Sequence, residues 1–186
     1  MENNKLKIMR KIVLLMVIMT LIIQGNGFAQ DKIFIDEKVY ETTNSWDFKI
    51  GSLGNPSNPN IRVGKHSNNG YLIITINDFS NTTVAGTLYI FLEDDTIIKC
   101  YDKGVTDKNN GKTTSVYYLT KSEIERLKNY RITKVRYTIK RVVGSDNYTA
   151  NNSKGSSFSS ISRFTEPDPD YKDYYETDKE IRKLFQ

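Results

Sequence analysis

The chain has 186 residues, of which 38% are hydrophobic and 26% charged, with 11 glycines, 4 prolines and a single cysteine. This composition is typical of a globular protein, and it excludes collagen-like, disulfide-scaffold and wholly disordered classes. The formal net charge of +5 at pH 7 is weak evidence for nucleic-acid binding, because that function needs a concentrated basic surface to neutralise phosphates.

Residues 1–29 have the pattern of an export signal. Lys5, Lys7, Arg10 and Lys11 precede an apolar run over 12–23, and Ala29 marks the expected cleavage site. The run spans about 18 Å as a helix, short of the roughly 30 Å hydrocarbon core, so no permanent membrane span is expected. An uncleaved anchor is the alternative.

Removal of the signal peptide changes the charge balance. It takes away four of the 27 basic and one of the 22 acidic residues, which leaves 23 against 21, or +2. The signal pattern predicts an exported protein, periplasmic or at the cell surface. Because little net positive charge remains after cleavage, we expect no nucleic-acid binding.

The remainder divides into three parts by composition. Residues 30–143 predict a β-rich domain, residues 144–163 a linker or loop rich in Ser, Asn and Gly, and residues 164–186 an acidic tail with a short helix. Within the domain, alternation of apolar residues predicts strands over 33–40 and 46–50. Residues 51–70 predict a long loop, with at most a brief strand at Ile61–Val63.

The strongest strand signals lie between Tyr71 and Val143. Runs at 71–76, 88–92 and 97–101 alternate, and the acidic turn between the last two predicts a hairpin. Placing Asp94 and Asp95 at the turn sets Leu92 opposite Ile97 and Tyr89 opposite Cys100. The polar residues 102–112 predict a loop, and residues 116–119 another strand.

Two capping boxes predict helix starts. In the first, Thr120 and Glu123 can satisfy each other's backbone N–H groups, and Leu119 with Ile124 has the spacing of a hydrophobic staple. A short helix then leads into a strand over 132–141. The second box, at 177–180, predicts a tail helix that either docks on the sheet or frays.

No assembled catalytic or metal site is visible. The only histidine, His66, lies in the predicted loop, whereas Cys100 lies in a predicted strand and is expected to be a small core residue. One Cys and one His cannot make a tetrahedral zinc set. Asp107, Asn109 and Gly111 begin a calcium-loop pattern, but the closing acid is missing, so a turn is expected. We expect no catalytic residue, metal or cofactor.

A basic stripe on the 132–141 strand is the candidate binding site. It consists of Arg131, Lys134, Arg136 and Lys140, and alternate residues of a strand project from the same face. The stripe could meet an acidic protein or a polyanionic glycan, or it could be a solvated face or a protected edge strand. In a third arrangement, the acidic tail lies across it. Exposed tyrosines could also stack on sugar rings.

From Gly86 to Arg141 the order of elements is a strand, an acidic turn, a strand, a polar loop, Tyr117-Tyr118-Leu119-Thr120, a short helix and the basic strand. This order resembles small exported domains, mostly uncharacterised, of Bacteroidota, over about a third of the chain. The resemblance implies a β-rich periplasmic or surface domain and no catalytic residue.

Together these features predict a mainly β fold. We expect an antiparallel sandwich or strongly twisted sheet, with one short crossing helix and a C-terminal helical tail. The expected function is a non-enzymatic binding or accessory module of the cell envelope. A hydrolase using two carboxylates, or a structural envelope component, are the alternatives.

Overall fold

The computed structural model describes residues 31–35, 38–51, 58–77, 81–154 and 172–186, which form two antiparallel sheets and two short helices. The first sheet contains β1 (Asp31–Ile35), β2 (Lys38–Thr42), β3 (Trp46–Asp47), β5 (Asn60–His66), β6 (Asn69–Asn77), β10 (Asp102–Asn109) and β11 (Lys112–Leu119). The second contains β4 (Lys49–Ile50), β7 (Thr83–Val84), β8 (Leu88–Leu92), β9 (Ile97–Cys100), β12 (Ile132–Lys140) and β13 (Ser145–Asn151). The helices are α1 (Lys121–Asn129) and α2 (Thr177–Leu184). The predicted mainly β, antiparallel fold class is confirmed.

The strand order is β1-β2-β5-β6-β11-β10 in the first sheet, with β3 also on β5, and β4-β13-β12-β8-β9 in the second, with β7 also on β12. One continuous core lies between the sheets and includes Trp46, Tyr117 and Tyr137. The predicted strand over 46–50 is split at the buried Phe48, so that its two halves join different sheets.

The first sheet is also buried in part on its outer face. There Tyr40, Ile73 and Val116 form a second, smaller apolar cluster, and Ile73 is only 1% exposed. Because both faces of β6 are covered, it carries a nearly continuous apolar run instead of a clean alternation. In β12 the alternation is clean, since Val135, Tyr137 and Ile139 are buried and the residues between them are not.

Helix α1 begins as its sequence predicts. The Thr120 hydroxyl accepts from the Glu123 N–H at 3.4 Å, and Glu123 Oε2 accepts from the Thr120 N–H at 2.7 Å, which completes the capping box. Leu119 and Ile124 are both buried at the helix entry, as the predicted staple requires.

The tail helix α2 docks, and its start differs from the prediction. Glu176 is the N-cap residue and makes no side-chain cap bond. Thr177 is instead buried in the first turn, where its hydroxyl accepts from the Ile132 N–H at 2.9 Å. Ile181 and Leu184 enter the main core, so packing, not a capping box, holds this short helix.

The predicted hairpin forms, but its predicted register is wrong by one residue. Leu88 pairs with Cys100 and Phe91 with Ile97. The Leu92 N–H donates to the Thr96 carbonyl at 2.9 Å, which leaves a three-residue loop, 93–95, in which Asp95 takes a positive φ of 61°. Partners in an antiparallel pair share a face, and this register puts buried Leu88 beside buried Cys100.

Several segments expected to be irregular are strands. Strand β5 and the start of β6 occupy residues 60–66 and 69–70 of the expected loop at 51–70, β10 occupies most of the expected loop at 102–112, and β13 lies within the expected linker at 144–163. The single strand predicted over 33–40 is instead two paired strands, β1 and β2. Strand β10 lies at a sheet edge and is largely exposed. An edge strand needs no buried stripe, so its sequence gives little signal. The predicted signal peptide and residues 155–171 lie outside the described residues.

Candidate functional site: the cationic face of the second sheet

The predicted basic stripe lies on the outer face of the second sheet. Lys134, Arg136 and Lys140 alternate with the buried Val135, Tyr137 and Ile139 and therefore point away from the core. Arg136 and Lys140 are exposed, and Lys134 is half-buried. The structure brings these three predicted residues together on one surface.

Strand pairing extends this surface beyond β12. Arg136 pairs with Tyr89 of β8, and Tyr89 pairs in turn with Lys99 of β9. Lys134 pairs with Phe91 on one side and with Asn151 on the other. The outward strand residues, here called the cationic face, are Lys49, Thr83, Tyr89, Phe91, Ile97, Lys99, Lys134, Arg136, Thr138, Lys140, Ser145, Asn147, Thr149 and Asn151.

The charge on this face has one sign. Its charged residues are the cations Lys49, Lys99, Lys134, Arg136 and Lys140. The outward residues of the second sheet's strands, as described, include no Asp or Glu. Neighbouring strands are about 4.8 Å apart and alternate residues about 7 Å apart, so the cations form a two-dimensional array instead of a single row.

Aromatic rings stand between the cations. Lys134 Nζ lies 4.9 Å from the centre of the Phe91 ring, and Lys99 Nζ lies 5.1 Å from the centre of the Tyr101 ring. These distances allow cation–π attraction. Tyr101 follows β9 and is 61% exposed, so one of its surfaces is open to a ligand.

Arg131 occupies a different environment from the rest of the predicted stripe. It precedes β12, and its Nη2 lies 3.3 Å from Glu93 Oε1. Its guanidinium carbon lies 3.9 Å from the centre of the Tyr174 ring. The side chain is 20% exposed, which makes it a structural link between the acidic turn and the tail.

Arg141, at the far end of β12, is also engaged. It donates to the Tyr148 hydroxyl at 2.9 Å and forms an ion pair with Asp146. These two contacts raise the pKa of the Arg141 guanidinium. The open cations are therefore those on the sheet face itself.

The structure also shows where the single cysteine and the single histidine lie. Cys100 is 2% exposed in the main core, and desolvation raises the pKa of its thiol to about 12, as a small core residue requires. The lone His66 is exposed at the end of β5, in a ring cluster with Tyr40 and Tyr71. Those rings belong to the outer side of the first sheet, so His66 and Cys100 are not brought together.

The calcium-like pattern is a hairpin turn. Asn110 and Gly111 have φ values of 51° and 68° and connect β10 to β11, and positive φ at both positions is typical of a type I′ turn. Across the described ranges, no three His, Cys, Asp or Glu side chains are grouped so that they could hold a metal ion.

A separate cleft of about 580 Å³ lies beside α2. Its lining includes Glu176 and Glu180 together with Lys154, Lys179 and Lys183. Lys172 and Lys179 donate to Glu176 and lower the pKa of its carboxyl to about 2. Glu176 is therefore held as a carboxylate.

Comparison with protein-family models, with curated proteins and with solved structures finds no match to this chain. Neither helix in the described part of the chain is long and apolar enough to cross a membrane. The chemistry of the cationic face is therefore the basis for the proposed function.

The contributions of Lys49 and Lys99 were missed from the sequence. Tyr89 and Phe91 alternate visibly with buried neighbours, but their position beside the basic stripe depends on which strands pair. That pairing joins residues more than forty positions apart, and alternation within one segment does not encode it.

Proposed function

We propose that this chain is a non-enzymatic, exported binding module whose cationic face binds a polyanionic glycan. The observation that carries the proposal is the single sign of charge across paired strands, with rings between the cations. A polymer with regularly spaced acidic groups can meet several of these cations at once, and the summed field raises its rate of association.

The rings favour a glycan over an acidic protein. Aromatic side chains offer an apolar surface to a sugar ring while the adjacent cations meet its acidic groups. Protein interfaces, in contrast, have an apolar centre from which charged residues are depleted. Here Lys134 and Lys99 stand directly beside the apolar groups.

The test compares two double charge reversals in the full chain. Arg136→Glu with Lys140→Glu changes the cationic face, and Lys121→Glu with Lys183→Glu makes the same change of net charge on the helices. On a heparin column we expect the first variant to elute at clearly lower salt and the second to elute with the parent protein. Equal losses in both variants would show that only net charge matters and would overturn the proposal.

Two further probes separate the alternatives for the partner. Soluble polyglutamate represents an acidic protein segment, and single-stranded oligo-dT represents a nucleic acid. We expect heparin or hyaluronan to bind more tightly than either at equal charge concentration. Tighter binding of polyglutamate would replace the glycan by an acidic protein, and tighter binding of oligo-dT would replace it by a nucleic acid.

The second candidate function is a carboxylate-dependent hydrolase. It is favoured by the cleft beside α2, where Glu176 and Glu180 are one helical turn, about 6 Å, apart along the axis. A carboxylate pair in glycoside hydrolysis needs one acid with a raised pKa. Glu176, whose pKa is low, suits the base or nucleophile role, and Glu180 would be the second carboxylate of the pair. Glycan hydrolysis that is abolished in Glu180→Gln would establish this function.

A further inference from the structure

We propose that the outer side of the first sheet carries a second, independent site, a polar pocket that binds a single neutral sugar unit. The pocket has a volume of about 350 Å³, at the small end of the usual ligand-pocket range of about 300–1,000 Å³. Its polar lining includes Asp47, Asn58, Asn60, Arg62, Asn77 and Lys112.

Strand register explains why these residues converge. Asn60 pairs with Thr75 of β6, and Asn77 of β6 pairs with Lys112 of β11, so neighbouring strands present them on the same face. Asp47 pairs with Asn60 at the adjoining edge. Ile33 of β1 also lines the pocket and belongs to the small outer cluster, which places β1 against its side.

Several polar groups are already oriented by bonds within the fold. Asn60 Nδ2 donates to Asp47 Oδ1 at 2.8 Å, and Asn58 Oδ1 accepts from the Ile50 N–H at 3.1 Å. The Thr75 and Thr114 hydroxyls are 2.9 Å apart on neighbouring strands. A ligand therefore meets groups with fixed directions, and less ordering entropy is lost on binding.

The mixture of donors and acceptors identifies the ligand class. Each sugar hydroxyl both donates and accepts, and the lining supplies a carboxylate, amides, a guanidinium and an ammonium group. A phosphate offers mainly acceptors, so although Arg62 and Lys112 would attract it, the Asp47 carboxylate and the amide oxygens would meet few donors. The lining includes no aromatic residue among the described side chains, so a nucleobase would have no ring to stack on. Lys112 and Arg62 oppose a bound cation.

The pocket differs from the cationic face in charge and in shape. Here Asp47 offsets part of the positive charge, and the surface is concave. The pocket therefore suits a small polyol, whereas the cationic face suits an extended polyanion. The two proposals rest on different residues and can fail separately.

Ligand-observed NMR tests the site with glucose, galactose, mannose and N-acetylglucosamine as probes, each at millimolar concentration. We expect saturation transfer to at least one of these sugars. The signal should fall several-fold in Lys112→Ala and in Asn60→Ala, and remain unchanged in Lys121→Ala. Lys112 is exposed beside a turn, so its substitution keeps the test valid if Asn60→Ala impairs folding.

Two results would overturn the proposal. One is the absence of transfer to all four sugars from the folded parent protein. The other is transfer that persists undiminished in Lys112→Ala. Loss of heparin affinity in the cationic-face variant, with unchanged sugar signals, would confirm that the two sites are separate.

Discussion

The outer faces of the two sheets differ in the residues that they carry. In the first sheet, Ile73 and Val116 are buried in an outer apolar cluster with Tyr40, so this part of β6 and β11 is covered on both sides. In the second sheet, the outer face carries cations, rings, small polar residues and the exposed Ile97, and the buried apolar residues lie on the inner face. The first sheet therefore packs apolar residues on part of its outer face and leaves only a small polar pocket beside them, whereas the second sheet leaves an extended polar face available to a partner.

This contrast gives the largest expected effect to Ile73→Ala. The side chain is 1% exposed on the outer face of the first sheet, and deleting a buried aliphatic group of this size costs about 2–5 kcal/mol. Thr149→Ala changes an outward position of the second sheet and should stay within about 0.5 kcal/mol. Urea unfolding of both variants measures the difference. Similar losses of unfolding free energy at both positions would show that the two outer faces contribute equally to stability.

Gly70→Ala should come next. A methyl group there would lie 2.7 Å from the Gly64 carbonyl oxygen, 2.8 Å from Ile124 Cδ1 and 3.1 Å from Phe185 Cζ. The first of these is backbone, so we expect a loss of about 1–3 kcal/mol from overpacking. Gly64→Ala meets only side-chain atoms within 3.6 Å and should cost less. Thermal unfolding of the pair checks the order, which a larger loss at Gly64 would contradict.

Thr177→Val tests how the second sheet is held at its end. The substitution conserves shape but removes the hydroxyl that accepts from the buried Ile132 N–H. Leaving that donor unpaired should cost about 1–2 kcal/mol. Chemical denaturation provides the value, and Thr149→Val on the cationic face is the control for the same change in an exposed setting. A neutral result at Thr177 would mean that the Ile132 N–H finds another acceptor.

The smallest effect concerns pH. Because Lys172 and Lys179 lower the pKa of Glu176 to about 2 from its ordinary value of 4.5, its ionised form stabilises the docked tail. That contribution is complete above about pH 4.5 and is lost as the pH falls through about 2. Glu176→Gln should therefore lower the melting temperature slightly at pH 7, and this difference should shrink steadily as the pH falls from about 4.5 to about 2. A difference that grows on acidification would reverse the expected sign.

Prediction from sequence succeeded where the signal was local. The capping box at Thr120, the alternation in β12 and the burial of Cys100 depend on neighbouring residues and are confirmed. Prediction failed where a segment whose composition favours a loop becomes a strand by pairing with a neighbour. Strand β13 is polar and mostly exposed, yet seven of its residues pair with β12.

The candidate site shows the same division. Lys134, Arg136 and Lys140 could be identified because they alternate along one strand. Lys49 and Lys99 join them only through strand order. Arg131 does not belong to the cationic face because it contacts Glu93 and Tyr174, and the sequence gives no sign of these contacts. The sugar pocket combines residues of β3, β5, β6 and β11, so no single segment contains its pattern.

The position of α2 has a consequence for the order of folding. Its side chains Ile181 and Leu184 complete the main core, and the adjoining Phe185 reaches Gly70, which lies more than a hundred positions earlier. Contacts of such long sequence separation slow folding, because the intervening chain must be ordered before they form. A chain that is still being synthesised or translocated, and has emerged only as far as β13, lacks these groups. We expect it to remain loosely packed until the tail has emerged.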